Sequence, residues 1–487
     1  MRTILSFLIY FVAAIASAQD STWQGLDGSW SDEQFWTNGI PSGEMNAFVF
    51  DGAGRITQDV ADLRISSFML DAQSAELILD QSLTVEDTFD FRAGTISGFA
   101  DLNLSHTSTA NLGAGANFAG EGDNGGGTMR IQGTANIEQT FTADGFIELS
   151  GDNASITGRD LNLNNSFLWN GGLMAGDGTT RIEQGALIQD GTLNRTVEST
   201  AGIIMAQNGL HGEENAVWNN VGENAIFKIS GDQGLSGEGR LNNLSGAFFK
   251  KSGGTGTSVI DWDIRHEGNM ILVESGEMSL RGNNFLNSQL MVLEGATLDL
   301  KGTTEFGEDV THADVGTLKF SGGTAKFDHE YQGNLDAIVT GETVLSGSGD
   351  IHFNRSLDWR SGGIIGSGTL NLHADTSIAI ATAGRHINNF GSVQFENSLL
   401  SSVNGSFTNH DQATLNFNGF NNAVLGNGQF VNEDGAVIQS NTGNNWFEWQ
   451  VENNGTISIE NGSQISFHYQ TLCMGVNPYI ILETFDV

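Results

Sequence analysis

The sequence predicts an all-β chain wound as a parallel β-solenoid, with one coil about every 20 residues. Three observations carry that expectation. Met278-Ser279-Leu280-Arg281-Gly282, Leu298-Asp299-Leu300-Lys301-Gly302 and Leu318-Lys319-Phe320-Ser321-Gly322 each read apolar, polar, apolar, polar, glycine, and their glycines are 20 residues apart both times. Alternation at period two marks a strand with one buried face, and a strand-plus-turn unit this short suits one coil of a solenoid better than a domain. Glycine occurs 65 times and proline twice. Glycine supplies turns, whereas proline would remove a ladder donor from strands that are nearly all internal. After the N-terminal segment no run of ten residues has helical periodicity.

In chain order, residues 1–18 read as a secretory signal peptide. Arg2 precedes the apolar run Ile4 to Ala16, and Ala16-Ser17-Ala18 offers a small-x-small end with cleavage expected after Ala18. The apolar run is shorter than the roughly 20 residues of a spanning helix. Residues 19–50 hold Trp23, Trp30 and Trp36. They either stack on sugar rings or plug the first coil, and the plug is favoured because terminal repeats need cover. Residues 51–487 read as the solenoid, with short strands at Glu76 to Asp80, Asp101 to Leu104, Phe146 to Leu149, Ala225 to Ile229, Asn269 to Val273, Thr369 to Leu372 and Thr456 to Ile459. Parallel stacking sets Leu298 between Met278 and Leu318, and strands about 4.8 Å apart make a rod on the order of 100 Å long. The apolar stretch Tyr479 to Val487 either caps the solenoid or continues into further protein.

A longer repeat overlies the coils, at about residues 167–280 and 357–467. Phe167-Leu168-Trp169-Asn170-Gly171-Gly172 recurs as Leu357-Asp358-Trp359-Arg360-Ser361-Gly362-Gly363, and Gly176-Asp177-Gly178-Thr179 as Gly366-Ser367-Gly368-Thr369. Gly237, Gly239, Asn243 and Ala247 match Gly426, Gly428, Asn432 and Ala436. Trp262 and Gly268 match Trp449 and Gly455. The offset drifts only slightly along the match, as small turn insertions between two copies of one module would produce.

Charge and cysteine exclude several classes. With 58 acidic and 20 basic residues the net charge is −38, which repels nucleic acid and anionic lipid surfaces. Cys473 is the only cysteine, so a disulfide scaffold is excluded. Hydrophobic residues make up 38% of the chain, enough to fill a core.

Trp23-Gln24-Gly25, Gly28-Ser29-Trp30-Ser31 and Trp36-Thr37-Asn38-Gly39-Ile40-Pro41 resemble the amino-terminal segment of large, repetitive bacterial exported and surface proteins, including autotransporter-like passengers and PEP-CTERM-type proteins. Trp169-Asn170-Gly171-Gly172 and Phe248-Phe249-Lys250-Lys251-Ser252-Gly253-Gly254-Thr255-Gly256-Thr257 look like recurrent phrases of such repeats. The resemblance implies a right-handed parallel β-helix exposed at or beyond the cell surface, and transfers no catalytic residue. This chain departs from the pattern in showing neither an outer-membrane barrel nor a sorting signal after the repeats.

Candidate chemistry is thin. Gly120 to Gly127 faintly resembles a calcium turn, without the recurring nine-residue pattern. Asp261-Trp262-Asp263 sets two carboxylates on one side of a strand, but its counterpart Glu448-Trp449-Gln450 keeps one, where calcium wants several oxygens. Asp328-His329-Glu330 has no companion at metal-ligand spacing, and the ten histidines read as scattered. His211-Gly212 and Asn441-Thr442-Gly443 touch polygalacturonase-like fragments without the paired carboxylates that hydrolysis needs. Nothing marks Cys473, with His468 before it, as an activated thiolate. No catalytic, cofactor or metal residue is therefore assigned. The expectation is a secreted or cell-surface structural or adhesive protein that meets glycans or neighbouring cell surfaces through many weak contacts. The alternative is a carbohydrate-active β-helix enzyme, which would show stacked Asp, Glu, Arg or Lys on one face of adjacent coils.

Overall fold

The computed structural model describes residues 19–120, 127–402, 405–460, 462–468 and 479–482. The signal segment, most of the Gly120 to Gly127 turn and Cys473 lie outside them. The chain is all-β, a parallel β-solenoid. Strands pair in parallel from coil to coil, and an antiparallel bridge joins Trp23 and Trp36. A single 3-10 turn, Glu33–Phe35, is capped by the Asp32 carboxylate, which accepts from the Gln34 amide. No helix of the described residues is long and apolar enough to cross a membrane.

The chain divides into two compact units between Leu161 and Asn162. In the first, one interior column runs Ala47, Phe68, Phe89, Ala110, Ala135, Ile156 on successive coils. The two phenylalanines stack on each other with ring centres 6.0 Å apart, and alanines lie on both sides of the pair. Trp23, Trp30 and Trp36 are all buried. Trp30 lies against Trp36 and Phe68, and the Trp36 indole donates to the Trp30 carbonyl. These rings cover the start of the aromatic column and leave no free face for a sugar. The segment also carries the strand Asp20–Thr22, paired with Asn46–Phe50, and so is built on the first coil itself.

In the second unit each coil presents three faces. One coil, for example, comprises Met270–Val273, Glu277–Leu280 and Asn284–Leu286. We call these the first, second and third faces. The register Met278, Leu298, Leu318 is the one the repeat implies. On the first face the spacing is less even, with Phe249 over Ile271 and Ile271 over Leu290. All seven strands expected from sequence are present, and Tyr479–Leu482 adds to Thr456–Ile459.

Residues matched between 167–280 and 357–467 make like contacts in the structure. Trp262 points inward beneath Gly212 and Gly239, and its indole donates to the Ser236 carbonyl at 2.8 Å. Trp449 repeats this beneath Gly428, donating to Leu425 at 2.7 Å. A Cβ on Gly239 or Gly428 would lie 2.6 or 2.2 Å from the ring, closer than any real contact. The Asn243 amide closes its turn on the Ala247 carbonyl and Asn432 does so on Ala436, while Gly268 and Gly455 of the following coils pack against those turns.

Buried asparagines form amide ladders between coils. Asn389, Asn409, Asn432 and Asn453 donate each to the next at 2.7 to 2.8 Å. An earlier ladder runs from Asn220 to Asn243 and ends on His266. The Asn243 amide faces His266 Nδ1 at 3.1 Å, and His266 Nε2 faces the Gln289 carbonyl at 3.3 Å. With Nε2 carrying the proton, both contacts are satisfied, and Nδ1 has no room for a second proton opposite an amide donor. Burial pulls the pKa of His266 down to about 4. The unfolded chain therefore takes up a proton near pH 6.5 that the folded chain refuses until about pH 4. Stability is full above pH 6.5 and falls as the pH drops through that window, by up to about 3 kcal/mol from this histidine. His266→Asn, which continues the ladder, is expected to flatten that slope in urea titrations at pH 7 and pH 4.5. An unchanged slope would disprove the assignment.

Candidate binding groove

The outward side chains of the third face line two adjoining clefts. The strands Arg240–Asn243, Asp263–His266, Asn284–Leu286 and Thr304–Phe306 stack in that order, pairing Arg240 with Asp263, Arg265 with Phe285 and Phe285 with Glu305. Alternation puts Leu241, Ile264 and Leu286 in the core and leaves the residues between them facing out. A cleft of about 380 Å³ is lined by Arg240, Asp263, Arg265, Asn283, Phe285 and Glu305. A second, of about 420 Å³, is lined by Glu214, Glu238, Arg240, Asp261 and Asp263 above a floor of Gly237 and Gly239. The two share Arg240 and Asp263 and form one open groove crossing several coils. At Gly239 glycine is forced by the Trp262 ring beneath it.

Some groups in the groove are fixed and others are free. Asp263 Oδ1 accepts from the Asn283 backbone amide at 2.7 Å and from its side chain at 3.1 Å. Arg265 forms a two-pronged pair with Glu267 at 2.6 and 2.9 Å, which raises its pKa further. The Arg265 guanidinium also lies 5.3 Å from the centre of the Phe285 ring. Arg281 reaches Asp261 at 3.8 Å. Arg240, Glu214, Glu238 and Glu305 make no side-chain hydrogen bond or ion pair among the described residues, so donors and acceptors remain for a ligand. An aromatic ring, a free guanidinium and free carboxylates in an open trough suit a polyhydroxyl chain.

Two other outward rows are present in this unit. On the second face Lys319 Nζ stands 3.3 Å from Glu277 and 3.7 Å from Asp299, and Ser279 donates to Asp299 at 3.1 Å. This is the stacked charge that an enzyme would show, with the one lysine bridging both carboxylates. On the first face His352, His373, Phe390 and His410 recur once per coil, with ring centres 5.5, 5.0 and 4.4 Å apart. His352 Nδ1 meets His373 Nε2 at 3.2 Å, and His410 meets Glu433 at 3.0 Å. Burial, with His352 adding to it, lowers the pKa of His373.

The motifs singled out in the sequence fare unequally. Asp261 and Asp263 do face the same way, into the groove, while Trp262 between them is core. Glu448 instead accepts from the Gly426 amide. Asp328 is tied to Lys326, and Glu330 accepts from Gln332 and approaches His352. No group of three or more His, Cys, Asp or Glu placed to hold a metal occurs among the described residues. His211 bonds Ser236 and Asn441 bonds Asn418, on separate coils. Three of the histidines that read as scattered, His352, His373 and His410, form a row with Phe390. Their spacings of 21, 17 and 20 residues, counting Phe390, are the signal that could have found it. Arg240, Phe285 and Glu305 carried no signal, because only coil stacking brings them together. No protein-family model, curated protein or solved structure matches this chain.

Proposed function

We propose that this chain is an exported, surface-exposed or extracellular β-solenoid that holds extended glycans or the glycan coat of neighbouring surfaces through many weak contacts. The observation that carries the reading is the open groove shared by Arg240 and Asp263, with its free Arg240, Glu214, Glu238 and Glu305 and its Phe285 ring. Such a trough grips several sugar units lightly, and repetition along the polymer supplies avidity. The charge-apolar-small order of residues 1–18 supports export. One observation favours a second reading, a carbohydrate-active enzyme: Glu214, Glu238, Asp261 and Asp263 line a single cleft, and glycoside hydrolysis uses paired carboxylates.

Affinity electrophoresis of the full chain through gels of neutral and acidic polysaccharides tests both. Retardation by at least one polysaccharide is expected, with Arg240→Ala and Glu238→Gln each weakening it about tenfold, as loss of one charged hydrogen bond does. Equal retardation of wild type and variants would remove the groove from the account. Release of reducing ends or unsaturated products, with or without calcium, would replace the adhesive reading by the enzymatic one.

A further inference from the structure

Outward faces of a solvated solenoid should be polar, and most of this unit obeys. On the first face Gln332, His352, Asn371, Asn388 and Thr408 point outward from successive coils. Earlier coils of the same face do not. There the outward row runs Leu187, Ile204, Lys228, Lys250, Leu272, Met291. Beside it, Ile226, Phe248 and Met270 form a second outward row. The strands concerned are apolar on both sides, as Met270-Ile271-Leu272-Val273 illustrates. Leu187, Ile204 and Ile226 are exposed to solvent. With strands about 4.8 Å apart, this strip is about 24 Å long, and it is two side chains wide over the three coils of Ile226, Phe248 and Met270. Contiguous apolar surface of that kind marks an interaction site.

Its charge is opposite to that of the chain. Lys228 and Lys250 are two of only six lysines in a protein of net charge −38, and both stand in the middle of the strip. Lys250 pairs with Glu274 at 2.7 Å, whereas Lys228 has no ion pair among the described residues. A second copy is a poor occupant. A two-fold pairing of the strip with itself would set the lysines of the copies against each other, and the copies repel one another overall. The strip also falls short of the roughly 1,200 Å² that a stable globular interface buries. Its length matches an extended strand of about seven residues.

We propose that this strip docks an extended polypeptide segment whose sheet-facing side chains, every second residue, are apolar at the two ends and acidic in the middle, laid flat on the sheet with carboxylates over Lys228 and Lys250. The site lies on a different face from the groove and does not depend on glycan binding.

Fluorescence anisotropy of dye-labelled eight-residue peptides with the full chain tests this. The peptide Leu-Ser-Glu-Ser-Glu-Ser-Leu-Ser, which turns two leucines and two glutamates to one face, is expected to bind, and its variants with both glutamates changed to lysine or both leucines changed to serine to bind at least tenfold more weakly. Lys228→Glu and Ile204→Ser, both at outward positions, should each weaken the parent peptide about tenfold. Failure of the parent peptide to bind, equal binding of its lysine variant, or indifference to both substitutions would overturn the proposal. So would dimerisation in sedimentation that Ile204→Ser abolishes, which makes a second copy the occupant. Retention on phosphatidylglycerol vesicles that the same variant abolishes would make it a lipid surface.

Discussion

Trp262→Ala is expected to lower stability by about 3–5 kcal/mol, the usual range for deleting a fully buried indole. Trp262 has no solvent exposure. It fills the interior of one coil and underlies the backbone of two earlier coils at Gly212 and Gly239. Its removal opens a cavity and leaves the Ser236 carbonyl without its indole partner. Nothing nearby can close the gap cheaply, because ladders on both sides fix the coil spacing. Solenoid energetics are nearly one-dimensional, so the loss should be concentrated in neighbouring coils. Urea unfolding would give the magnitude, and amide exchange would show protection lost first around residues 212–262. Trp449→Ala, at the matching place in the second copy, should behave alike around residues 428–449. A loss below about 1 kcal/mol in either variant would mean that the matched tryptophans do not hold their coils together. Gly239→Ala approaches the same contact from the other side. It adds one carbon where the ring already stands, and should destabilise with the tryptophan intact.

The contrast between Trp262 and the groove above it shows what the sequence could reveal. Alternation states which residues point in and which out, so Met278, Leu298 and Leu318 could be stacked by inspection. Matched tryptophans and glycines exposed the duplication because a large ring over a bare backbone constrains both partners. Alternation does not state which outward residues become neighbours. That depends on turn lengths, and the coils vary enough to scramble simple counting. Arg240, Phe285 and Glu305 are therefore neighbours that no local pattern links. Inward polar residues escaped for a different reason. Asn409, Asn432 and Lys251 read as surface in any hydropathy pattern. In the structure the asparagines bond one another, and Lys251 Nζ reaches the Gly231 carbonyl at 2.6 Å and Ser258 at 3.0 Å. Each satisfies a turn that no apolar side chain could satisfy. The apolar strip of the first face was visible as unbroken apolar strands, but its direction was not.

Arg385→Met is the second substitution expected to cost about 3–5 kcal/mol, and its reason is polar. Arg385 is almost wholly buried, yet no carboxylate pairs with it in the described residues. Its guanidinium instead donates to carbonyls of two earlier coils: Ile365 at 2.9 and 3.2 Å, Gly347 at 3.0 Å, Gly349 at 3.3 Å and Thr369 at 3.4 Å. Burial pulls its pKa down from the ordinary arginine value, and the charge survives because the five donors meet fixed dipoles. Several of the carbonyls belong to glycine-rich corners, and between Ile365 and Thr369 the register of the sheet ladder shifts, so the side chain supplements a ladder that is interrupted there. Methionine matches the volume but donates nothing, and it strands several buried acceptors at once. Arg385→Lys keeps the charge without the planar fork and should recover only part of the loss. The same device stands in the first copy of the module. Arg195 donates to Gly178 and Ala175 at 3.1 Å each, and it precedes Arg385 by the same 190 residues that separate Thr179 from Thr369. Arg195→Met should therefore destabilise in parallel. If both methionine variants melt like the wild type, the corners are held by backbone alone. If they fall while the lysine variants fall less, the buried guanidinium is what lets a strand turn the corner from the third face back to the first.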